Sequence, residues 1–145
     1  MITPHPAEMA RLTGLSIEEV EAERLSLSRE IATRYGIGVV LKGHRTVVAW
    51  PDGRAAINSS GNPGMATAGT GDVLTGVIAA WLAALESPGR ATELAVWLHG
   101  RAGDLARDDH GEVAMVAGDL IDRLGDAVRE VSGPSPSSPR KGRGA

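Results

Sequence analysis

The sequence predicts an α/β fold, of which this 145-residue chain holds a helix-rich part. Three short apolar runs have the composition of strands, and the stretches on both sides of them carry apolar residues at helical spacing. Three short strands cannot cover that many apolar helix faces, whereas a mainly parallel sheet with helices on both sides would. Because a chain of this length suits a single core, we expect one α/β domain that is present only in part.

The strands are predicted as a short meander. Runs 38–41, 46–50 and 54–58 are β-branched or apolar. They are separated by Lys42-Gly43-His44-Arg45 and by Pro51-Asp52-Gly53, and both segments are typical of turns.

Five helices are predicted around this meander, over residues 6–12, 16–35, 70–85, 91–106 and 116–131. In the second of them Ser16 and Glu19 have the spacing of a capping box, and Gly36 follows its end. The third is almost continuously apolar, as expected of a helix buried against a sheet. The last two are amphipathic at helical period.

Residues 61–76 form a glycine-rich turn that runs into an apolar helix, and they read Gly-Asn-Pro-Gly-Met-Ala-Thr-Ala-Gly-Thr-Gly-Asp-Val-Leu-Thr-Gly. The first N–H groups of a helix have no partner within it, and the helix dipole places partial positive charge there, so anions bind readily. Glycine also allows close approach of the backbone. We therefore predict that the amides of Gly69, Thr70 and Gly71 form an anion hole for a phosphoryl group.

Asp72 places a carboxylate beside that anion hole. A carboxylate is a poor phosphate ligand, so it makes more sense as a general base that takes a proton from a substrate hydroxyl, with magnesium nearby to balance charge. The alternative is a simple helix cap, in which Thr70 or Asp72 satisfies the first amides of the helix.

Four segments of the chain carry a family pattern in a fixed order. They are Thr3-Pro4-His5-Pro6-Ala7-Glu8-Met9, Val40-Leu41-Lys42-Gly43-His44-Arg45-Thr46, residues 61–76, and Leu98-His99-Gly100-Arg101-Ala102-Gly103-Asp104. Together they resemble the ribokinase-like superfamily and, within it, the ADP- or ATP-dependent NAD(P)H-hydrate dehydratases, which repair damaged nicotinamide cofactors. The resemblance covers nearly all of residues 2–131 but corresponds only to the C-terminal half of a family member. It implies a ribokinase-like three-layer α/β/α fold, present as a C-terminal fragment with a few strands and several helices.

The resemblance also implies a role for each matching residue. His5 would bind the hydrated nicotinamide substrate, and Asp72 would bind and deprotonate it as the catalytic residue. The residues that would bind the nucleotide are Lys42, Gly43, His44, Arg45, Thr46 and Gly71. The implied reaction restores NADH or NADPH from NADHX or NADPHX, with ADP or ATP as co-substrate and Mg²⁺ bridging the nucleotide oxygens.

Plainer structural interpretations of these residues remain open. His5 lies between two prolines and could do no more than cap a turn, and the Lys42 loop could be an ordinary hairpin with a solvated lysine. Glu8 either orients a magnesium-bound water or favours the dipole of the helix that it begins.

By the same resemblance the upstream half of the domain is missing, and activity requires it. Residues 1–131 are then the C-terminal half of a dehydratase domain, while 132–145, rich in Pro, Ser, Gly and Arg, are predicted to be a disordered tail. The expected partners are NAD(P)H hydrate and an adenine nucleotide, with a homo-oligomer or association with the missing half. Two other interpretations are a small-molecule kinase of the thiamine-precursor type and an inactive fragment.

Composition excludes several other classes. The net charge is −3, which favours neither nucleic acid nor a membrane surface as a partner. The chain has no cysteine, which excludes disulfides and thiolate metal sites and fits a cytoplasmic protein. Its four histidines are scattered, so we predict no metal site built from protein side chains.

The helix over 91–106 contains further polar residues. His99 lies at mid-helix among apolar neighbours and is predicted to be a packed core histidine. A solvated helix end is predicted for the charged residues Arg101, Asp104, Arg107, Asp108 and Asp109.

Overall fold

The computed structural model describes residues 1–133 and contains six α-helices and three strands in that range. The elements are α1 (Pro6–Thr13), α2 (Ile17–Ala22), α3 (Arg24–Tyr35), β1 (Val39–Leu41), β2 (Val47–Ala49), β3 (Ala55–Ile57), a single 3₁₀ turn (Pro63–Met65), α4 (Thr70–Ala84), α5 (Pro88–His110) and α6 (Ala117–Ser132).

The three strands form an antiparallel sheet in the order β1-β2-β3, so the predicted meander is confirmed. Val40 is paired with Val48, and Val48 in turn with Ala56. A parallel bridge joins Ile2 to Val39 on the other side of β1. Two hydrogen bonds hold it, from Ile2 N to Gly38 O at 3.0 Å and from Val40 N to Ile2 O at 2.9 Å.

Side chains alternate across this sheet and build two cores. One face of the sheet packs against α1, α2 and α3. The core between them includes Met9, Val20 and Leu27 from the helices and Val39 and Leu41 from β1. The opposite face packs against α4 and α5, with Val40, Val48, Leu74, Ile78 and Val96 buried there. A third cluster, including Leu98, Ala102 and Leu120, joins α5 to α6. The result is a helix–sheet–helix sandwich, which confirms the predicted α/β class.

Two helices differ from their predicted bounds. The single helix expected over 16–35 is broken at Glu23, whose φ and ψ are −115° and 29°. Neither glycine nor proline lies at this point, so the sequence carries no signal for the break. Helix α5 is longer at both ends than the predicted 91–106. Its start follows from Ser87, which accepts a hydrogen bond from Arg90 N at 3.4 Å as the N-cap, and from Pro88 in the first turn.

The C-terminal extension of α5 is explained by its neighbour α6. Arg123 of α6 forms an ion pair with Asp109, and His110 lies 3.7 Å from Asp119. Ser132, the first residue of the predicted tail, is instead the last residue of α6. The rest of that predicted tail, from residue 134 onward, lies outside the described residues. No helix within residues 1–133 is both long and apolar enough to cross a membrane.

Candidate functional site

The glycine-rich segment enters α4 through a backbone conformation that favours glycine. Gly69 is the N-cap of α4, with φ +91° and ψ −19°, in the left-handed region. Its carbonyl accepts from Asp72 N at 3.1 Å and from Val73 N at 3.0 Å. No side chain caps this helix start, which leaves the earliest amides of a 15-residue helix available to an anion.

The side chain of Thr70 stabilises the loop rather than the helix start. Its hydroxyl lies 2.8 Å from Met65 O and 2.9 Å from Thr67 O, and the residue is only 8% exposed. The hydroxyl proton therefore goes to a loop carbonyl. Asp72, two residues later, is exposed in the first turn of α4. This geometry argues against the helix-cap alternative for Thr70 and leaves the Asp72 carboxylate open to solvent.

Lys42 extends from the end of β1 to the start of α4. A β-carbon added to Gly71 would lie 3.3 Å from Nζ of Lys42. The lysine side chain is 23% exposed, and its Nζ is 3.7 Å from Oε2 of Glu8. A half-buried ammonium group thus lies beside Gly71 at the start of α4, and positive charge there and the first helix amides both favour an anion.

His5 and Glu8 form a reciprocal cap at the start of α1. His5 N donates to Glu8 Oε2 at 2.7 Å, and Nδ1 of His5 accepts from Glu8 N at 3.2 Å. The neutral ring therefore carries its proton on Nε2, which lies 3.4 Å from Glu8 Oε1. The hydrogen bond from His5 N holds the pKa of the Glu8 carboxyl below its ordinary value, and the charge of Lys42 acts in the same direction.

Backbone pairing brings these groups to one edge of the sheet. Lys42 N donates to Pro4 O at 2.8 Å, which continues the parallel pairing that begins at Ile2. The chain leaves both segments at the same end, toward α1 and toward the loop after β1. Three of the four segments that predicted function therefore meet here, and ligand sites of α/β sheets lie at such carboxyl edges.

The loop after β1 is a tight turn. Gly43 has φ +131° and Arg45 has φ +54°, and Thr46 Oγ1 donates to Gly43 O at 3.1 Å. His44 and Arg45 are exposed, whereas Thr46 is half-buried. The hydrogen bond shows that Thr46 closes the turn, and nucleotide contacts by these residues stay a prediction.

Arg24 is a part of this region that sequence reasoning missed. Its Nη2 donates to Leu41 O at 3.0 Å and to Lys42 O at 3.2 Å, and its Nη1 pairs with Glu21 at 3.2 Å. The guanidinium group therefore fixes the backbone at the end of β1, where Lys42 begins the loop. A contact between residues 17 positions apart leaves no local sequence signal.

Two polar residues of helix α5 contact the glycine-rich segment. His99 is 8% exposed, as predicted for a core histidine, and its Nε2 lies 2.9 Å from Thr70 O. The prediction for Asp104 is wrong, because this residue does not belong to a solvated helix end. Its carboxylate accepts from Gly61 N at 3.0 Å and from Asn62 Nδ2 at 3.1 Å. The helical period of α5 gives no signal that both residues contact the loop, because residues five positions apart do not share a face of a helix.

Other surfaces of the molecule are separate from these residues. A surface groove of about 680 Å³ lies between α3 and the β2–β3 turn, and its lining includes Arg29, Asp52, Arg54 and Glu93 but none of the predicted site residues. Among residues 1–133, no group of three or more His, Cys, Asp or Glu is placed to hold a metal ion.

The layered fold and the glycine-rich start of α4 place this chain among ribokinase-like α/β proteins. A ribokinase-like superfamily protein from Enterococcus faecalis superimposes with a TM-score of 0.70 and 35% identity, over 88% of this chain and 43% of that one. Residues 1–125 match the family described as NAD(P)H-hydrate dehydratase, and the chain belongs to that family.

Individual relatives agree with this assignment. The bifunctional NAD(P)H-hydrate repair enzyme Nnr of Moorella thermoacetica is 49% identical over 131 residues, which are 90% of this chain and 25% of that protein. The ADP/ATP-dependent NAD(P)H-hydrate dehydratase of Bacillus subtilis, crystallised with ATP and Mg²⁺, superimposes with a TM-score of 0.86 and 39% identity. That match covers 88% of this chain and 46% of the other. The chain thus spans a quarter to less than half of the proteins that it resembles.

Proposed function

We propose that this chain provides the phosphoryl-transfer part of an enzyme that dehydrates NADHX or NADPHX to NADH or NADPH at the expense of ADP or ATP. The observation that carries the proposal is the position of Lys42 Nζ beside Gly71, at the uncapped start of α4. A cation next to free helix amides can bind the terminal phosphate of a nucleotide. Family membership supplies the substrate class.

The chemistry begins at Asp72. In the hydrated nicotinamide ring a hydroxyl group must leave, and hydroxide is a poor leaving group. The Asp72 carboxylate takes the proton of that hydroxyl while the hydroxyl oxygen forms a bond to the terminal phosphorus of the nucleotide. At the same time the bond from this phosphorus to the bridging oxygen of the nucleotide breaks. Phosphate then leaves the ring with its electron pair, and loss of a ring proton forms the double bond of the dihydronicotinamide.

The amides of Gly69, Thr70 and Gly71 stabilise the charge that develops on the phosphoryl oxygens. Such donors act strongly because they are fixed before the reaction, and loss of one typically costs about 10²–10³ in turnover. Lys42 contributes mainly to binding, since a point charge attracts the nucleotide phosphates before and during the reaction. The nearby Lys42–Thr46 turn lines the nucleotide.

Magnesium fits this site as a companion of the nucleotide. Mg²⁺ in proteins is commonly held by substrate phosphates with one or two carboxylates and several waters, and the exposed Asp72 and half-buried Glu8 are the carboxylates available here. When bound, the ion neutralises charge on the nucleotide oxygens.

His5 provides the substrate contact in this proposal. The cap that it forms with Glu8 fixes the direction of its ring, and Pro4 and Pro6 restrict the backbone on both sides. The His5 side chain is 48% exposed. The ring can therefore hydrogen-bond a substrate at little entropic cost.

The rest of the substrate pocket is assigned to an N-terminal half that pairs with this one, or to another copy of the chain. This assignment follows from the share of each relative that the chain spans. The test is to measure NADH formation from NADHX, with ADP or ATP and Mg²⁺, by the chain alone and after addition of the N-terminal half of the Bacillus subtilis enzyme. We call whichever sample shows turnover the active preparation.

In the active preparation, Asp72→Asn should reduce turnover by roughly 10²–10⁴-fold with nucleotide affinity retained, because an amide cannot accept the proton. Asp122→Asn, which changes an exposed aspartate on α6, is the matched control and should leave turnover unchanged. Turnover of the Asp72 variant within threefold of the wild type would contradict the general-base role. A stable phosphorylated product without NADH would indicate a small-molecule kinase instead.

A further inference from the structure

Helix α5 lies directly against the glycine-rich loop along one short stretch, residues 99–104. Ser60 Oγ donates to Trp97 O at 2.8 Å, just before this stretch. A β-carbon added to Gly100 would lie 2.8 Å from the backbone carbonyl carbon of Ser60, and one added to Gly103 would lie 2.3 Å from Sδ of Met65. Non-bonded atoms do not come this close, and at Gly100 the clash would be with backbone, so the loop can approach α5 this closely only because residue 100 is glycine. At Gly103 the flexible side chain of Met65 would have to move.

His99 contacts the far end of the loop, where α4 begins. Its Nε2 lies 2.9 Å from Thr70 O, and a carbonyl can only accept, so Nε2 carries the proton. Burial lowers the pKa of His99, although the same hydrogen bond opposes that effect. The imidazole is therefore a neutral, buried donor. Its hydrogen bond links the first helical residue of α4 to the middle of α5.

Asp104 contacts the near end of the loop. One carboxylate oxygen accepts from Gly61 N and the other from Asn62 Nδ2, and the side chain is 16% exposed. Arg107 Nη1 is 3.7 Å from the same carboxylate and balances its charge. Asn62 Oδ1 in turn accepts from Gly64 N at 3.0 Å, so the carboxylate also orients the next turn of the loop.

We propose that residues 99–104 of α5 act as a clamp, in which His99 and Asp104 are positioning residues that fix the two ends of the glycine-rich loop and thereby aim the amides of residues 69–71. Neither residue reaches the anion directly, and the inference rests on the proposed function of those amides. Its physical basis is preorganisation. Donors that are held in place before the ligand arrives need no reorganisation when charge develops on the phosphoryl group.

The first test measures the position of α4 without any ligand. His99→Met keeps the approximate volume but removes the donor, while His99→Gln retains an N–H group near the position of Nε2. Thr92→Val is the matched control, because Thr92 is another buried polar residue of α5 and donates to Pro88 O at 2.9 Å, two turns from His99. Amide hydrogen exchange of Asp72 and Val73 should be roughly tenfold faster in His99→Met than in Thr92→Val, and close to the wild type in His99→Gln.

The second test measures turnover in the active preparation. His99→Met should lower kcat by about tenfold or more, with a smaller change in the KM for nucleotide, and His99→Gln should recover most of the loss. Asp104→Ala should act in the same direction, compared with Asp122→Ala, which removes an exposed carboxylate on α6. Exchange rates and kcat of His99→Met within threefold of those of Thr92→Val would overturn the clamp.

The two tests separate this inference from the proposed function. If exchange at the start of α4 responds to His99 but Asp72→Asn retains full turnover, the clamp holds the helix and the proposed chemistry is wrong. If Asp72→Asn is inactive and the His99 and Asp104 variants match their controls in exchange and kcat, the clamp is wrong and the chemistry remains.

Discussion

Nζ of Lys42 lies 3.3 Å from the position that a β-carbon would occupy on Gly71. The two residues come from different segments of the chain, one from the end of β1 and the other from the first turn of α4. The absence of a side chain at Gly71 lets the ammonium group approach the backbone, and Oε2 of Glu8 lies 3.7 Å from Nζ. The lysine thus lies beside the predicted anion site before any ligand binds.

Lys42→Ala should weaken nucleotide binding by roughly tenfold or more while slowing the chemical step much less, because the charge acts on the phosphates in both the bound and transition states. Isothermal titration of ADP and ATP with Mg²⁺ against the active preparation measures the effect. Arg54→Ala provides a control, since Arg54 is a cation on the β2–β3 turn whose side chain is 80% exposed. An unchanged nucleotide Kd would mean that Lys42 does not reach the phosphates.

Glycine-to-alanine substitutions should have opposite effects at two helical positions. A β-carbon on Gly100 would collide with the backbone of Ser60, so Gly100→Ala should destabilise the fold by about 1–3 kcal/mol. Gly125 is exposed on α6, and a β-carbon there would come no closer than 3.8 Å to a neighbouring side chain, that of Arg129, so Gly125→Ala should stabilise the fold by about 0.5–1 kcal/mol. Urea unfolding gives both values. Equal effects at the two sites would show that the loop does not pack on α5 as described.

Glu8 should make stability depend on pH in the acidic range. Its folded pKa is depressed, mainly by the hydrogen bond from His5 N, so its contribution to stability is present above the ordinary glutamate pKa of about 4.3 and is lost as pH falls through the lower folded pKa. Thermal melting of the wild type and Glu8→Gln should show a difference in Tm at pH 6 that closes below about pH 4. A constant difference across that range would exclude the charge of Glu8 as its cause.

His99 should give a second pH dependence, nearer neutrality. Burial depresses its folded pKa, so the unfolded chain binds the proton first, and stability is lost as pH falls below the ordinary histidine pKa of about 6.5. The fall in wild-type Tm between about pH 6.5 and 5 should be smaller in His99→Met, which cannot titrate. Thr92→Val keeps the histidine and should retain the wild-type slope. Identical slopes in all three proteins would mean that His99 is not held neutral.

Local sequence signals predicted much of the architecture. Turn residues at 42–45 and 51–53 separated three apolar runs, and the structure has the corresponding antiparallel meander. The bounds of α4 and α6 agree with the predicted helices to within one residue, because both have a clear apolar pattern between turn-forming ends. The glycine-rich run followed by Asp72 also indicated an anion site, since helix starts attract anions whatever the rest of the fold.

Only the tertiary structure decided which residues meet around that site. The hydrogen bonds of Arg24 to the end of β1 and of Asp104 to Gly61 join residues that are 17 to 43 positions apart. Helical pattern alone placed Asp104 at a solvated end, because a charged residue near a helix terminus looks the same whether water or a loop amide satisfies it. Local propensity determines which segments become helices and strands, whereas the pairing of buried polar groups depends on how those segments pack.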